Sequence, residues 1–211
     1  MIVIPTVFAH NKKEFLERFN RISKAAKNIQ IDFMDGKLVP SKGIEIRDVA
    51  GLKSLRKNFE AHLMVKDPEV YFAEAKKKGF KKIIIHREAF IMTSECADAI
   101  EKIQKLKLKA FVAINPETPI SAIVPLLNRV DGVLVMGVHP GKEHQQFIGE
   151  IYDKLRKLRA FNPNVVIQVD GGVNFDVAKG LKMIGVNEIN TGSMTADAKN
   201  PKEIIEELEE I

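Results

Sequence analysis

Residues 29–41 read IQIDFMDGKLVPS, an apolar strand that carries an acid in its middle. Strand side chains alternate faces with a period of two. Ile29, Ile31 and Phe33 therefore share one face, and Gln30, Asp32 and Met34 share the other. The apolar set suits a covering layer of helices, so the set holding Asp32 points toward the interior of the sheet. Asp35 stands just before Gly36 and reads as a loop-organising residue of the Asx type.

The same grammar repeats outward in both directions. MIVIPTVF opens the chain, with a helical pattern from Asn11 to about Ala26. After IQIDFM come a helical stretch at 46–57, FEAHLM (59–64) and the helix VYFAEAKKKG. KKIIIH (81–86) precedes TSECADAIEKIQKLK, and KAFVAI (109–114) precedes the helical stripe PISAIVPLLNR. DGVLVM (131–136), NVVIQVD (164–170) and NEIN (187–190) follow, each with a helical pattern behind it. Eight β-then-α units in 211 residues, without a linker or composition break, predict one α/β domain over residues 1–211. A repeat of about 25 residues suits a small (β/α)8 TIM barrel, whose lower size limit is near 200. An open doubly wound sheet is the alternative, but no glycine-rich fingerprint follows the first strand.

Composition narrows the partners. Apolar content of 45% and charged content of 29% are those of a globular protein, and no apolar run is long enough to span a bilayer. The N-terminus lacks the basic start and cleavage site of a secretory signal, so a cytoplasmic location is expected. Net charge is +5 with a pI near 9.2, yet acids interrupt the lysine clusters and no aromatics interleave, which argues against nucleic acid. A mildly positive field suits an anionic small molecule instead. Cys96 is the single cysteine, which excludes an internal disulfide and a cysteine metal cluster.

In a barrel of this kind chemistry collects at the carboxyl ends of the strands. Parity places Glu60, His62 and Met64 on the inward face of FEAHLM, and Gln168 and Asp170 on that of NVVIQVD; Met136 and His86 end their own strands. Asp32, His62 and Asp170 thus converge at the mouth. A buried carboxylate is costly unless paired or bound to metal. Three such groups suit a divalent cation such as zinc, with a hydrogen-bonded Asp–His core cluster as the alternative. VDGGVN and TGSM end strands seven and eight with Gly171, Gly172, Gly192 and Ser193. Exposed N–H groups at these two places commonly cradle phosphate.

The stretches IDFMDGKLVP, EAHLMVKDPEVY, IIIHREA, AINPETP, DGVLVMGVHPG, IQVDGGVN and TGS together resemble the ribulose-phosphate 3-epimerase family along nearly the whole chain. The resemblance implies a metal-dependent isomerase that interconverts D-ribulose 5-phosphate and D-xylulose 5-phosphate. It implies that Asp32 and Asp170 are the acid–base pair, and that Asp32, His62 and Asp170 hold one divalent ion, Zn or Mn, Fe or Co. Met34, Met64 and Met136 would form a sulfur-lined floor, with Gly141, Gly171, Gly172, Gly192 and Ser193 around the phosphorylated ketose. A homo-oligomer is expected. Three places depart from the pattern: Gln30 stands where the family has a metal histidine, Ala9 where the first strand offers a serine, and Lys142, Glu143 and His144 in the loop after strand six. Lys142 or His144 would then supply a substitute contact. These departures keep open a different ketose phosphate, or a phosphate-binding relative with weakened catalysis. Barrel decarboxylases and lyases would need an Asp-x-Lys-x-x-Asp pattern, which no strand end shows.

Overall fold

The computed structural model describes residues 1–211. Eight parallel strands close on themselves in chain order: β1 (Ile2–Val7), β2 (Asn28–Met34), β3 (Asn58–Met64), β4 (Lys82–His86), β5 (Lys109–Ile114), β6 (Gly132–Met136), β7 (Ile167–Asp170) and β8 (Glu188–Thr191). The barrel expected from the eightfold repeat is the observed fold. Closure leaves no unpaired sheet edge. Val3, Ile29, Ile31, Phe33, Ala61, Ile83, Val112 and Val169 face outward into the main core, against the covering helices.

Those helices are α1 (Lys12–Ala25), α2 (Glu69–Lys78), α3 (Thr93–Lys105), α4 (Ile151–Phe161), α5 (Phe175–Ile184), the single turn α6 (Ser193–Ala196) and α7 (Pro201–Glu210). Their ends follow local chemistry. Asn11 caps α1 by accepting from the Glu14 N–H at 3.0 Å, and Asn174 caps α5 by accepting from Val177 at 2.9 Å.

Two expected helices are absent. Residues 46–57 form two single 3-10 turns, Ile46–Asp48 and Lys53–Leu55. The first closes on itself through the Asp48 carboxylate, which accepts from the Glu45 N–H at 3.0 Å, and Val49 is already extended. The stretch at 119–129 likewise gives only Ile120–Ala122 and Val124–Leu126. Pro125 has no N–H and its ring would collide with the preceding turn, so a longer helix cannot propagate there.

The barrel interior is divided. On β5 and β6 it is apolar: Phe111, Ala113, Leu134 and Met136 cluster there with Ile84 of β4. Phe111 fits because Gly132 leaves space; a Cβ there would lie 2.3 Å from its ring. On β7, β8 and β1 to β3 the interior is polar. Lys82 sits at the seam, with Nζ 2.8 Å from Glu60, 2.5 Å from Glu188, 3.1 Å from Gln168 and 4.1 Å from the Phe111 ring centroid. This buried ionic layer lies below His62, with Glu60 two residues earlier on the same face of β3.

Candidate active site

Register sets the upper layer. Asp32 pairs across β2 and β3 with His62, Met34 with Met64, and Met136 across β6 and β7 with Asp170. Asp32, His62 and Asp170, on three strands, therefore offer ligand atoms that all lie within 4.8 Å of one another. His62 Nδ1 is 3.1 Å from Asp32 Oδ1 and 3.5 Å from Asp170 Oδ2.

Gln30 projects into the middle of this set. Its amide nitrogen donates to Asp32 Oδ1 at 2.9 Å and Asp170 Oδ2 at 2.6 Å, and lies 3.3 Å from His62 Nδ1. One neutral donor thus serves two carboxyl groups. Burial pushes the Asp32 carboxyl up from 3.8 to about 8, against the Gln30 hydrogen bond, and the charges of Glu143 and Glu60 add to the rise. Burial likewise raises Asp170 to about 7, helped by the Asp32 charge and opposed by His62 and Gln30. His62 is pulled below its ordinary value by burial. Two buried carboxyls and an imidazole, with no cationic side chain in contact, are a donor set that fits a divalent cation.

Above the triad opens a cavity of about 800 Å³, lined by Thr6, Phe8, Asp32, His62, Met64, Met136 and Asp170 at its floor and by loop residues at its rim. Gly141, Lys142, Glu143, His144, Gly171, Gly172, Gly192 and Ser193 all line that rim. Gly172 sits at φ +69, where a Cβ would lie 2.5 Å from the Phe147 nitrogen, so the turn after β7 requires glycine. Glu143 is clamped by Arg18 Nη1, 2.7 and 2.8 Å from its two carboxylate oxygens. His144 reaches only the exposed Asp197, at 3.8 Å.

One expectation needs correction. Met34 does not line the cavity; it packs with Phe8, Val39 and Met64 beneath the rim. Ala9 lies beyond the end of β1, fully buried in the outer core. The β1 residue that does line the cavity is Thr6, whose hydroxyl accepts from Asn190 Nδ2 at 3.2 Å. Parity along Ile2–Val7 would have found it, since Thr6 stands in register with Gln30. Asp35 holds its loop as expected: Oδ1 accepts from the Lys37 and Leu38 N–H groups at 2.8 and 3.1 Å, and Oδ2 from Lys66 at 2.8 Å. His86, which the sequence placed only at the end of its strand, is fully buried with Nε2 2.8 Å from His62 Nε2.

The fold and the site together define a (β/α)8 barrel with a polar, cation-suited triad beneath a cavity ringed by glycine turns. Among solved structures, "KGPDC from Streptococcus mutans" matches with a TM-score of 0.75 at 16% identity, over 99% of this chain and 95% of that one. "3-Hexulose-6-Phosphate Synthase" matches with a TM-score of 0.71 at 16% identity, over 99% and 98%. Both likenesses concern the fold. The sequence profile of the Ribulose-phosphate 3 epimerase family matches residues 2–195, and the chain belongs to that family. The ribulose-5-phosphate-3-epimerase of Arabidopsis thaliana, a chloroplastic protein, is 33% identical, over 97% of this chain and 75% of its own length. The ribulose-phosphate 3-epimerase of Schizosaccharomyces pombe is 28% identical, over 98% and 91%. No helix is long and apolar enough to cross a membrane.

Proposed function

We propose that the chain interconverts D-ribulose 5-phosphate and D-xylulose 5-phosphate by moving a proton at the carbon beside the ketone. The observation that carries this reading is the pair Asp32 and Asp170 on the cavity floor, with carboxyls pushed up to about 8 and about 7. General acid–base catalysis works best when the group's pKa lies near the working pH. The reaction needs one member of the pair ionised and the other protonated, so that one accepts while the other donates. The ionised carboxyl takes the substrate proton, electrons shift to the ketone oxygen to give an enediolate, and the protonated carboxyl returns a proton to the other face. The two end with their roles exchanged, ready for the reverse direction.

Asp32, His62 and Asp170 would hold the divalent cation, which when bound stabilises negative charge on the substrate oxygens. Met64 and Met136 present apolar surface on the floor, which keeps water from competing for the transferred proton. The phosphate end is assigned to the turns at Gly171, Gly172, Gly192 and Ser193, with Gly141 opposite; fixing that end orients the reacting carbon. Thr6 adds a hydroxyl at the floor.

The test is solvent deuterium exchange into the carbon beside the ketone of ribulose 5-phosphate, with zinc, manganese, cobalt or iron supplied in turn. Exchange is expected for the wild type, and Asp170→Asn should slow it about 10²–10⁴-fold while the fold persists. No exchange with any metal would remove the epimerase reading. Gln30 favours a second reading, a ketose-phosphate-binding relative with weakened catalysis, because a neutral amide is a poorer metal ligand than an imidazole. Substrate binding without exchange would support it.

A further inference from the structure

A wall rich in acids suits an anionic ligand poorly. Asp32 and Asp170 line the cavity floor and Glu143 and Asp197 its rim, and against these four carboxyls stand one lysine, Lys142, and no arginine. The two rim acids differ in how far water screens them. The Asp197 side chain is 61% exposed and that of Glu143 only 14%, so the Glu143 charge is the less screened. Its field reaches the floor, where it helps to raise Asp32. What answers Glu143 lies outside the cavity. Arg18, in the middle of α1, places Nη1 2.8 and 2.7 Å from the two Glu143 oxygens, and the same nitrogen donates to the Phe8 carbonyl at 3.0 Å. Its Nη2 is 3.0 Å from Glu14 Oε1, and the other Glu14 oxygen accepts from the His10 N–H at 2.9 Å. The guanidinium is thus fixed between α1, the residue after β1 and the loop after β6. Neither Arg18 nor Glu14 lines the cavity.

We propose that Arg18 is a positioning residue for the phosphorylated ligand, acting through Glu143: it cancels the rim carboxylate that would otherwise repel the phosphate. The same ion pair could instead serve as a tether for the loop, and the structure argues against that. The loop keeps its shape through bonds of its own: the Ile148 N–H donates to the Gly137 carbonyl at 2.9 Å, and Gln145 Nε2 donates to the carbonyls of His139 at 2.7 Å and Lys142 at 2.9 Å. The two roles also differ in sign. A tether cut from either end loosens the loop by the same amount. A charge mask does not behave so: losing the Arg18 charge makes this part of the wall one unit more negative, and losing the Glu143 charge makes it one unit more positive. Charge at a rim acts on ligand capture and on its salt dependence. This inference rests on the reading of the cavity as a ketose-phosphate site; it needs neither the cation nor the proton transfer.

Calorimetric titration of the full-length chain with D-ribulose 5-phosphate, with and without zinc, separates the two roles. At low salt Arg18→Met, which keeps most of the aliphatic stem, should weaken binding about tenfold or more. Glu143→Gln, which cuts the same ion pair from its other end, should bind at least as tightly as the wild type. The double variant should return to within about threefold of the wild type, because the two charge changes cancel. At about 0.5 M salt the differences should shrink, since charges more than a few ångströms away are then screened. In the epimerase assay the loss in Arg18→Met should appear in KM and leave kcat unchanged. Equal weakening by the two single variants would overturn the proposal, and so would a double variant as weak as Arg18→Met. Should Arg18→Met fail to fold, Glu143→Gln decides alone: weaker binding in it overturns the proposal. A wild type that binds ribulose 5-phosphate yet exchanges no deuterium would remove the epimerase reading and leave this one standing. A wild type that binds neither ribulose 5-phosphate nor inorganic phosphate would remove this one.

Discussion

Asp32→Asn should make the metal-free protein more stable, by a margin that grows as pH rises above about 4. The Asp32 carboxyl is raised from 3.8 to about 8, chiefly because its charged form is removed from water. At 1.36 kcal/mol per pH unit, ionising it within the fold costs up to ~6 kcal/mol. That is a large share of the roughly 5–15 kcal/mol that holds a domain together. A group whose folded pKa is raised binds more protons folded than unfolded between its two pKa values. Stability therefore falls as pH rises from about 4 to about 8, and is level above that. Asparagine matches the shape, still accepts from Gln30 through its oxygen, and carries no charge to desolvate. It also removes the Asp32 charge that raises Asp170.

The assay is urea unfolding of both proteins in the presence of a chelator, at intervals from pH 4 to pH 9. At pH 4 the two should differ by less than about 1 kcal/mol, and by pH 5 the wild type should already have lost about 1–2 kcal/mol, because its unfolded carboxyl ionises near 3.8. By pH 9 Asp32→Asn should exceed the wild type by about 3–6 kcal/mol, the upper value being the full ionisation cost. Adding zinc should reverse the order, because a ligand that binds only the folded state stabilises it by mass action. Parallel curves across the whole range would refute the reasoning, since they would mean that the carboxylate is fully compensated in the empty site.

Two further outcomes follow from the interior. Lys82→Met should cost about 3–5 kcal/mol at pH 7 in the same unfolding assay, because Glu60 and Glu188 would be left buried without their cation; a loss below 1 kcal/mol would show that water reaches this layer. Gln30→His should tighten zinc binding at least tenfold in chelator competition, by exchanging a donor nitrogen for a lone pair, and an unchanged affinity would mean that position 30 plays no part in the cation site.

The parts of this molecule that were legible in its sequence are those governed by a short period. Strand parity sorted Asp32 from Ile31 and Phe33, and the recurrence of strand and helix patterns pointed to closure into a barrel. The helices expected at 46–57 and 119–129 failed for a different reason: an apolar stripe records which face is buried, and an extended Val49 or a 3-10 turn holding Leu126 meets it as well as an α-helix does. Thr6 went unmarked although parity along the first strand places it inward, in register with Gln30. His86 was marked only as the end of its strand. Its contact with His62 joins ring nitrogens of neighbouring strands, and neither spacing nor composition encodes such a contact.

The centre of the site depends on Gln30, and its consequence is thermodynamic. The amide donates to both carboxyls from the place toward which the three ligand atoms point. It partly compensates the empty site, which an imidazole lone pair at the same position could not do for two carboxylates. Hydrogen bonds to charged groups contribute roughly 1.5–3 kcal/mol each. Whatever the amide contributes to the empty site must be given up when a cation takes its acceptors. Releasing a single such bond, about 2 kcal/mol, weakens cation binding some thirtyfold, since every 1.4 kcal/mol is tenfold. Stability without metal and affinity for metal are therefore opposed at this residue. That opposition explains why Asp32→Asn and Gln30→His should act in contrary senses: the first relieves the empty site and forfeits the cation, and the second strains the empty site and recruits it.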